Sequence, residues 1–236
     1  MAIWVGTSGY NYPEWKGNFY PEKMKPAEML PYYAERFPTV EINNTFYRMP
    51  NEKAVSGWSE ATPNRFRLTL KAPQRITHFA RLKECADSTA YFLKVAGTLG
   101  AKLGALLFQL PPNFKKNLPV LDAFLETLPA GTCAAFEFRN PGWLDDEVYA
   151  RLKAKNLALC VADSEKLSTP VEITADYAYF RLRDEGYKAG DIARWAQVIR
   201  DKTAQCRDVY VYFKHEDEGK GPEFGQLLLR ELGMKT

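Results

Sequence analysis

The chain has 236 residues, 46% hydrophobic and 26% charged, the profile of a soluble globular protein with enough apolar material for one large core or two small ones. Its formal charge of +3 is spread over 32 basic and 29 acidic residues without a long single-sign run, which argues against general affinity for nucleic acid or membrane surfaces. The start, MAIWVGTSGYNYPEW, lacks a basic region followed by an apolar stretch, and no uncharged apolar run is bilayer-long, so a cytoplasmic protein is expected. Cys85, Cys133, Cys160 and Cys206 form no CxxC pair; reduced, mostly buried thiols are expected rather than a zinc or iron–sulfur centre.

The first predicted element is a strand, IWVGT (3–7), followed by an aromatic loop, GTSGYNYPEWKGNFYP. A helical stretch, PAEMLPYYAERF, leads to the strand TVEIN (39–43), and NEKAVSGWSEA leads to FRLTLK (66–71). CADSTAYFLKVAGTLG precedes GALLFQL (104–110), and LPVLDAFLETL precedes CAAFEFR (133–139). DDEVYARLKAK then leads to LALCVAD (157–163), whose connection to YAYFRLR (177–183), SEKLSTPVEITA, carries no convincing helix. DIARWAQVIRDKTAQC, VYVYFKH (209–215) and PEFGQLLLREL complete the chain.

Eight strand and helix units, in a chain near the usual length of about 250 residues, predict an α/β protein: one TIM (β/α)8 barrel over residues 1–236 with an irregular sixth unit. A doubly wound open sheet fits less well, because no GxGxxG follows the first strand.

Strand parity then locates a site. In VEIN, Val40 and Ile42 face the helices while Glu41 and Asn43 point into the barrel near its C-terminal end. The same alternation turns inward Lys71, Gln109, Ala135, Glu137, Arg139, Arg181, Arg183, Tyr212 and Lys214. Barrel enzymes keep their active sites at these strand ends. Two glutamates against Lys71, Lys214 and three arginines make a locally cationic mouth suited to a phosphate or carboxylate. The structural alternative is a set of internal ion pairs, Glu41 with Lys71 and Glu137 with Arg139 or Arg181, although such pairs add little net stability.

Other features cluster at the same face. Tyr10, Tyr12, Trp15, Phe19 and Tyr20 in the first loop form either a packed cap or a stacking surface, with Tyr10 and Trp15 the expected ligand contacts. Thr7, Ser8 and Gly9 offer hydroxyls and backbone N–H groups to an anion or simply form a turn. Pro222 in GKGPEF marks the first turn of the last helix, near the loops where barrels bind phosphate. His78 and His215, the only two histidines, fall in loops at this end and are candidates for ligand contact or acid–base work. Asp163, at the end of the sixth strand, joins the ligand-binding set; a metal site built from His215, Glu216, Glu41 and Asp163 has no announcing spacing, so no metal is expected. No cofactor is expected either, since the chain has no nucleotide fingerprint and no distinctive Schiff-base context around Lys71.

The stretches VGTSGYNYPEWKGNFYP, FPTVEINNTFYRMP, TPNRFRLTLKAPQRITH, LGALLFQLPPNF, FEFRNPGW and VYVYFKHEDEGKGP together resemble the YecE-like family, domain of unknown function 72, over essentially the whole chain. The resemblance implies a TIM-barrel fold and brings no established activity. Many relatives end strand seven with Arg-x-His-Gly and strand eight with tandem asparagines, whereas this chain has Arg181-Leu182-Arg183-Asp184 and Lys214-His215-Glu216.

Three readings follow. The first is a hydrolase or lyase acting on a small anionic, phosphorylated or carbohydrate-like molecule, with Glu41 or Glu137 as general acid or base, Lys71, Arg139 and Arg181 holding the anion, and Asn43 and Gln109 orienting it. The second is nucleic-acid binding or processing, with phosphates gripped by the basic mouth. The third is a non-catalytic sensor of a small anion.

Overall fold

The computed structural model describes residues 1–234. Among them, eight parallel strands close into a barrel in sequence order: β1 (Ala2–Ser8), β2 (Thr39–Ile42), β3 (Arg67–Lys71), β4 (Leu103–Leu110), β5 (Ala134–Phe138), β6 (Ala158–Asp163), β7 (Tyr177–Leu182) and β8 (Asp208–Phe213). The helices are α1 (Pro26–Ala34), α2 (Asn44–Tyr47), α3 (Glu52–Glu60), α4 (Ala86–Gly97), α5 (Leu118–Leu125), α6 (Asp146–Ala154), α7 (Ala189–Lys202) and α8 (Lys220–Glu231). Every strand matches the sequence expectation to within two residues. The short α2 and a π-helical turn at Arg75–Phe79 are additions that the periodicity does not reveal.

Local chemistry starts several helices. Asn51, Asn117 and Asp145 each accept a hydrogen bond from the backbone N–H three residues on, capping α3, α5 and α6. Between β6 and β7 the described residues form no helix. Pro170 and the β-branched Val171 and Ile173 disfavour one, and the Thr174 hydroxyl ties the segment to the sheet by donating to the Leu157 carbonyl and accepting from the Leu159 N–H.

The apolar core has two parts, separated by the strands. Outward residues such as Val40, Ile42, Leu68, Leu70, Phe108, Phe136, Phe180 and Phe213 pack beneath the helices. Inside, β4 to β6 contribute Ala105, Leu107, Ala135, Ala158, Cys160 and Ala162, and β7 and β8 contribute Tyr177, Tyr179, Tyr210 and Tyr212. Small residues on one side leave room for rings from the other, at the close packing an interior requires. The ring hydroxyls then need partners: Tyr212 Oη lies 2.8 Å from both the Thr39 and Thr69 hydroxyls. Gly6 is required by the same crowding, since a Cβ there would run into the Thr39 carbonyl.

All four cysteines are free; Cys85, Cys160 and Cys206 are buried and Cys133 is half-buried. No helix of the described residues is long and apolar enough to cross a membrane.

Candidate functional site at the strand ends

The inward residues at the C-terminal ends of the strands meet around one guanidinium. Arg181, from β7, is fully buried. It donates to Glu41 through Nε at 3.0 Å and Nη2 at 2.8 Å, to Glu137 through Nη1 at 2.7 Å, and to Ser8 Oγ through Nη2 at 2.9 Å. Register aligns the parts: Ser8 is beside Glu41 between β1 and β2, and Gln109 is beside Glu137 between β4 and β5.

Glu41 accepts four hydrogen bonds, two from Arg181 and one each from the Ser8 and Tyr179 hydroxyls, which uses the whole capacity of a carboxylate. Glu137 accepts from Arg181, from Gln109 Nε2 at 2.8 Å and from Arg139 Nε at 3.1 Å, with Arg183 Nη1 a further 3.7 Å ion-pair contact. Burial pushes both carboxyls toward the neutral acid, but the Arg181 charge outweighs it, so both sit below the usual carboxylate range and are ionised.

Lys71, at the end of β3, stands apart. The expected Glu41–Lys71 pair does not form, because Arg181 occupies Glu41 completely. Among the described residues, Lys71 Nζ has no hydrogen-bond or ion-pair partner; it lies 4.0 Å from the centroid of the Phe46 ring. Its side chain is 7% exposed, and burial, reinforced by the Arg181 charge, lowers its pKa to about 7. The amine faces a cleft of about 230 Å³ lined also by Tyr10, Asn11, Tyr12, Asn43, Asn44, Tyr47, Lys214 and Glu216. Asn43 donates to Ser8 Oγ at 2.7 Å, which leaves its own buried Oδ1 without a partner. A second cleft of about 660 Å³ shares Lys214 and Glu216 and is bordered by Arg183, Tyr187, Lys188 and His215.

Several expected contacts sit elsewhere. Trp15 is 1% exposed, packs against Tyr12, Phe19 and Tyr20, and donates its indole N–H to the Glu216 carbonyl, so it belongs to the cap and offers no stacking face. Ser8 is spent inside the network and is 1% exposed, while the Thr7 hydroxyl donates to the Gly9 carbonyl. Gln109, bound to Glu137, is 2% exposed and reaches no ligand directly. Asp163 has the opposite parity to Cys160 and Ala162: its carboxylate turns away from the interior and accepts from the Tyr187 and Ser168 hydroxyls. His215 packs against Phe224 with Nε2 2.7 Å from the Asp184 carbonyl. Glu41, Asp163, His215 and Glu216 therefore do not converge, and among the described residues no group of three or more His, Cys, Asp or Glu is placed to hold a metal ion.

His78 lies next to the site rather than in it. Its ring meets Phe46 edge-on at 4.8 Å, Nδ1 is 2.9 Å from the Thr77 hydroxyl, and burial together with the Lys71 charge lowers its pKa to about 4. Arg139, Arg183 and Lys214 remain partly exposed at the mouth, with side chains 31%, 26% and 25% accessible. The cleft also holds residues outside the candidate set: Asn11, Asn44, and Phe46 and Tyr47, the last two on α2, whose four residues are too few to carry a period; Tyr12 comes from the loop that the sequence leaves open between cap and stacking surface. Tyr179 shares the parity of Arg181, and that was its legible signal.

The family model described as "Protein of unknown function DUF72" matches residues 4–236. The UPF0759 protein YecE of Escherichia coli (strain K12) is 33% identical over 140 residues, which cover 59% of this chain and 49% of that relative, about half its length. The UPF0759 protein YunF of Bacillus subtilis (strain 168) is 25% identical over 273 aligned positions, covering 99% of this chain and 95% of that relative. Among solved structures, a DUF72 family protein from Thermotoga maritima MSB8 superposes with a TM-score of 0.89 at 26% identity, covering 99% of this chain and all of the other (100%). A DUF72 family protein from Enterococcus faecalis V583 shares the fold with a TM-score of 0.81 at 19% identity, covering 99% of this chain and 98% of that one. With the match running almost from end to end, the chain belongs to the DUF72 family of proteins of unknown function.

Proposed function

We propose that this barrel is an enzyme of hydrolase or lyase type acting on a small anionic molecule, phosphorylated or carbohydrate-like, bound in the cleft over Lys71. The observation that carries the reading is the solitary amine: a lysine 93% withdrawn from solvent, with no counter-ion, at the floor of a polar, aromatic-lined cleft. Burying an unpaired cation is costly for folding and brings the barrel no ion pair in return, so its presence is accounted for by a ligand or by chemistry. The three guanidiniums around two carboxylates leave this end of the barrel with surplus positive charge, while Lys214 on the cleft wall is paired with Glu216.

Within this reading the glutamates are not the acid–base pair. A general acid must carry a proton, which Arg181 denies to both, and a general base needs a free lone pair, which Glu41 lacks. A glycosidase mechanism with two carboxylates is disfavoured for the same reason. Lys71, titrating near neutrality, is the better proton acceptor.

A thermal-shift screen against sugar phosphates, organic acids, nucleotides and oligonucleotides at low and high salt tests this. A ligand at a hundredfold excess over its dissociation constant stabilises by about 2.7 kcal/mol. A salt-sensitive shift with a small anion, lost in Lys71→Met and weakened in Lys214→Ala, is the expected result. Shifts with oligonucleotides alone would replace this reading with the nucleic-acid one.

A further inference from the structure

Resting on that reading, we infer that Lys71 is a carbonyl-condensing nucleophile: the cleft takes an aldehyde or ketone bearing a carboxylate or phosphate and joins it to Lys71 Nζ as an iminium ion. The geometry favours this over simple charge pairing. Nζ has no ion-pair partner, the Phe46 ring 4.0 Å away stabilises a cation without offering an acceptor that would lock the amine, and burial of the residue, reinforced by the Arg181 charge, favours the uncharged amine. An iminium keeps the positive charge of an ammonium, so the Phe46 face suits the product as well as the resting lysine.

The remaining cleft groups match the step. The free amine adds to the carbonyl carbon while the carbonyl oxygen takes up a proton, giving a carbinolamine. Nitrogen gives up one of its two protons, and the hydroxyl leaves as water after protonation, so the iminium keeps one N–H; in sum, amine, carbonyl and one proton yield iminium and water. The buried Asn43 Oδ1, unpartnered and lining the same cleft, is an acceptor for the carbinolamine hydroxyl. Lys214, on the cleft wall and partly exposed, is ion-paired with Glu216 and becomes available to the anionic substituent only when that anion displaces the Glu216 carboxylate. Condensation of this kind places the protein among lyases that break or form carbon–carbon bonds next to a carbonyl rather than among hydrolases.

The test is reductive trapping on the full chain. Wild type, Lys71→Met and Lys71→Arg, each verified as folded by circular dichroism, are incubated at pH 7.5 with pyruvate or with glycolaldehyde phosphate, treated with borohydride and read by intact mass and peptide mapping. A single secondary-amine adduct on the Lys71 peptide, absent from both variants and formed on the order of tenfold faster than on surface lysines, is the expected result. Brief labelling with acetic anhydride across pH measures the amine without any substrate, and Lys71 should react at a pH several units below the other lysines. If Lys71 is acetylated no faster than surface lysines and neither probe is trapped, the nucleophile assignment is overturned. Anion-induced thermal shifts that persist in that case leave the anion site standing without it. Trapping at Lys71 with no anion preference over neutral glycolaldehyde supports the nucleophile and removes the anion site.

Discussion

Arg181 Nη2 lies 2.8 Å from Glu41 Oε1 across the barrel, joining β7 to β2 over 140 sequence positions, and neither side chain exposes any surface. Together with the contact to Glu137, this makes the guanidinium the tie between opposite walls of the mouth. Losing one member strands a buried charge, so Arg181→Met and Glu41→Gln should each cost about 3–5 kcal/mol in urea unfolding. Adding Glu41→Gln and Glu137→Gln to Arg181→Met should recover part of the loss, because the orphaned charges go too. If the triple variant is less stable than Arg181→Met alone, the network contributes through packing and not through charge.

Acid stability follows from the same contacts. Glu41 and Glu137 are held below their unfolded pKa of about 4.3, so the folded state binds fewer protons than the unfolded chain at low pH. Their contribution is fully present above about pH 5 and is lost as pH falls through the folded values. Arg181→Met should flatten this acid limb between about pH 5 and 3, measured by urea midpoints across pH. An unchanged limb would place the acid sensitivity in surface carboxylates.

Most of the barrel was legible because strand period and crossover length are local signals. Glu41, Glu137 and Arg181 stand out as polar residues at inward parity, and the structure brings all three together. The partners of Glu137, Arg139 and Arg181, are the ones the sequence suggests, whereas that of Glu41 is not, since Arg181 reaches across the barrel interior where the sequence suggests the neighbouring strand's Lys71. Asn43 was read as the last strand residue; its backbone is already helical, at φ −89° and ψ −20°, and begins α2. Phe46 and Tyr47 enter the cleft on that turn, which no periodicity announces. Trp15 looked like a stacking surface because residue type carries no information about which face is covered.

Trp15 should accordingly behave as a structural residue. Its ring is wedged among Tyr12, Phe19 and Tyr20, and its N–H satisfies the Glu216 carbonyl at 2.8 Å, linking the loop after β1 to the loop after β8. Trp15→Ala should cost about 3–5 kcal/mol, and Trp15→Phe about 1 kcal/mol for the lost hydrogen bond. Tyr47→Ala, at a 74% exposed position on the cleft rim, should leave stability within about 0.5 kcal/mol while changing ligand-induced thermal shifts. A Trp15→Ala protein of undiminished stability would reopen its role as a ligand contact.

Lys71 makes the opposite prediction, a substitution that stabilises. Its folded pKa is about 7 against about 10.4 in an unfolded chain. Between those values the unfolded chain holds a proton that the folded protein does not, so wild-type stability rises with pH across this window and is lowest, as far as this group is concerned, below about pH 7. The groups acting on the amine are Arg181, Glu137, Glu41, Arg139 and His78; the glutamates and His78 titrate well below the window, so they do not mask the slope. Each pKa unit corresponds to about 1.4 kcal/mol, which sets about 5 kcal/mol as the ceiling for the whole window. Lys71→Met fills the site without a charge to desolvate. It should be more stable than wild type at pH 7 by roughly 1–3 kcal/mol, with the difference shrinking toward pH 10. Urea midpoints for both proteins from pH 6 to 10 decide the matter: parallel curves would mean that the amine is solvated and paired in solution, whereas converging curves show a lysine kept at the mouth against the interest of the fold.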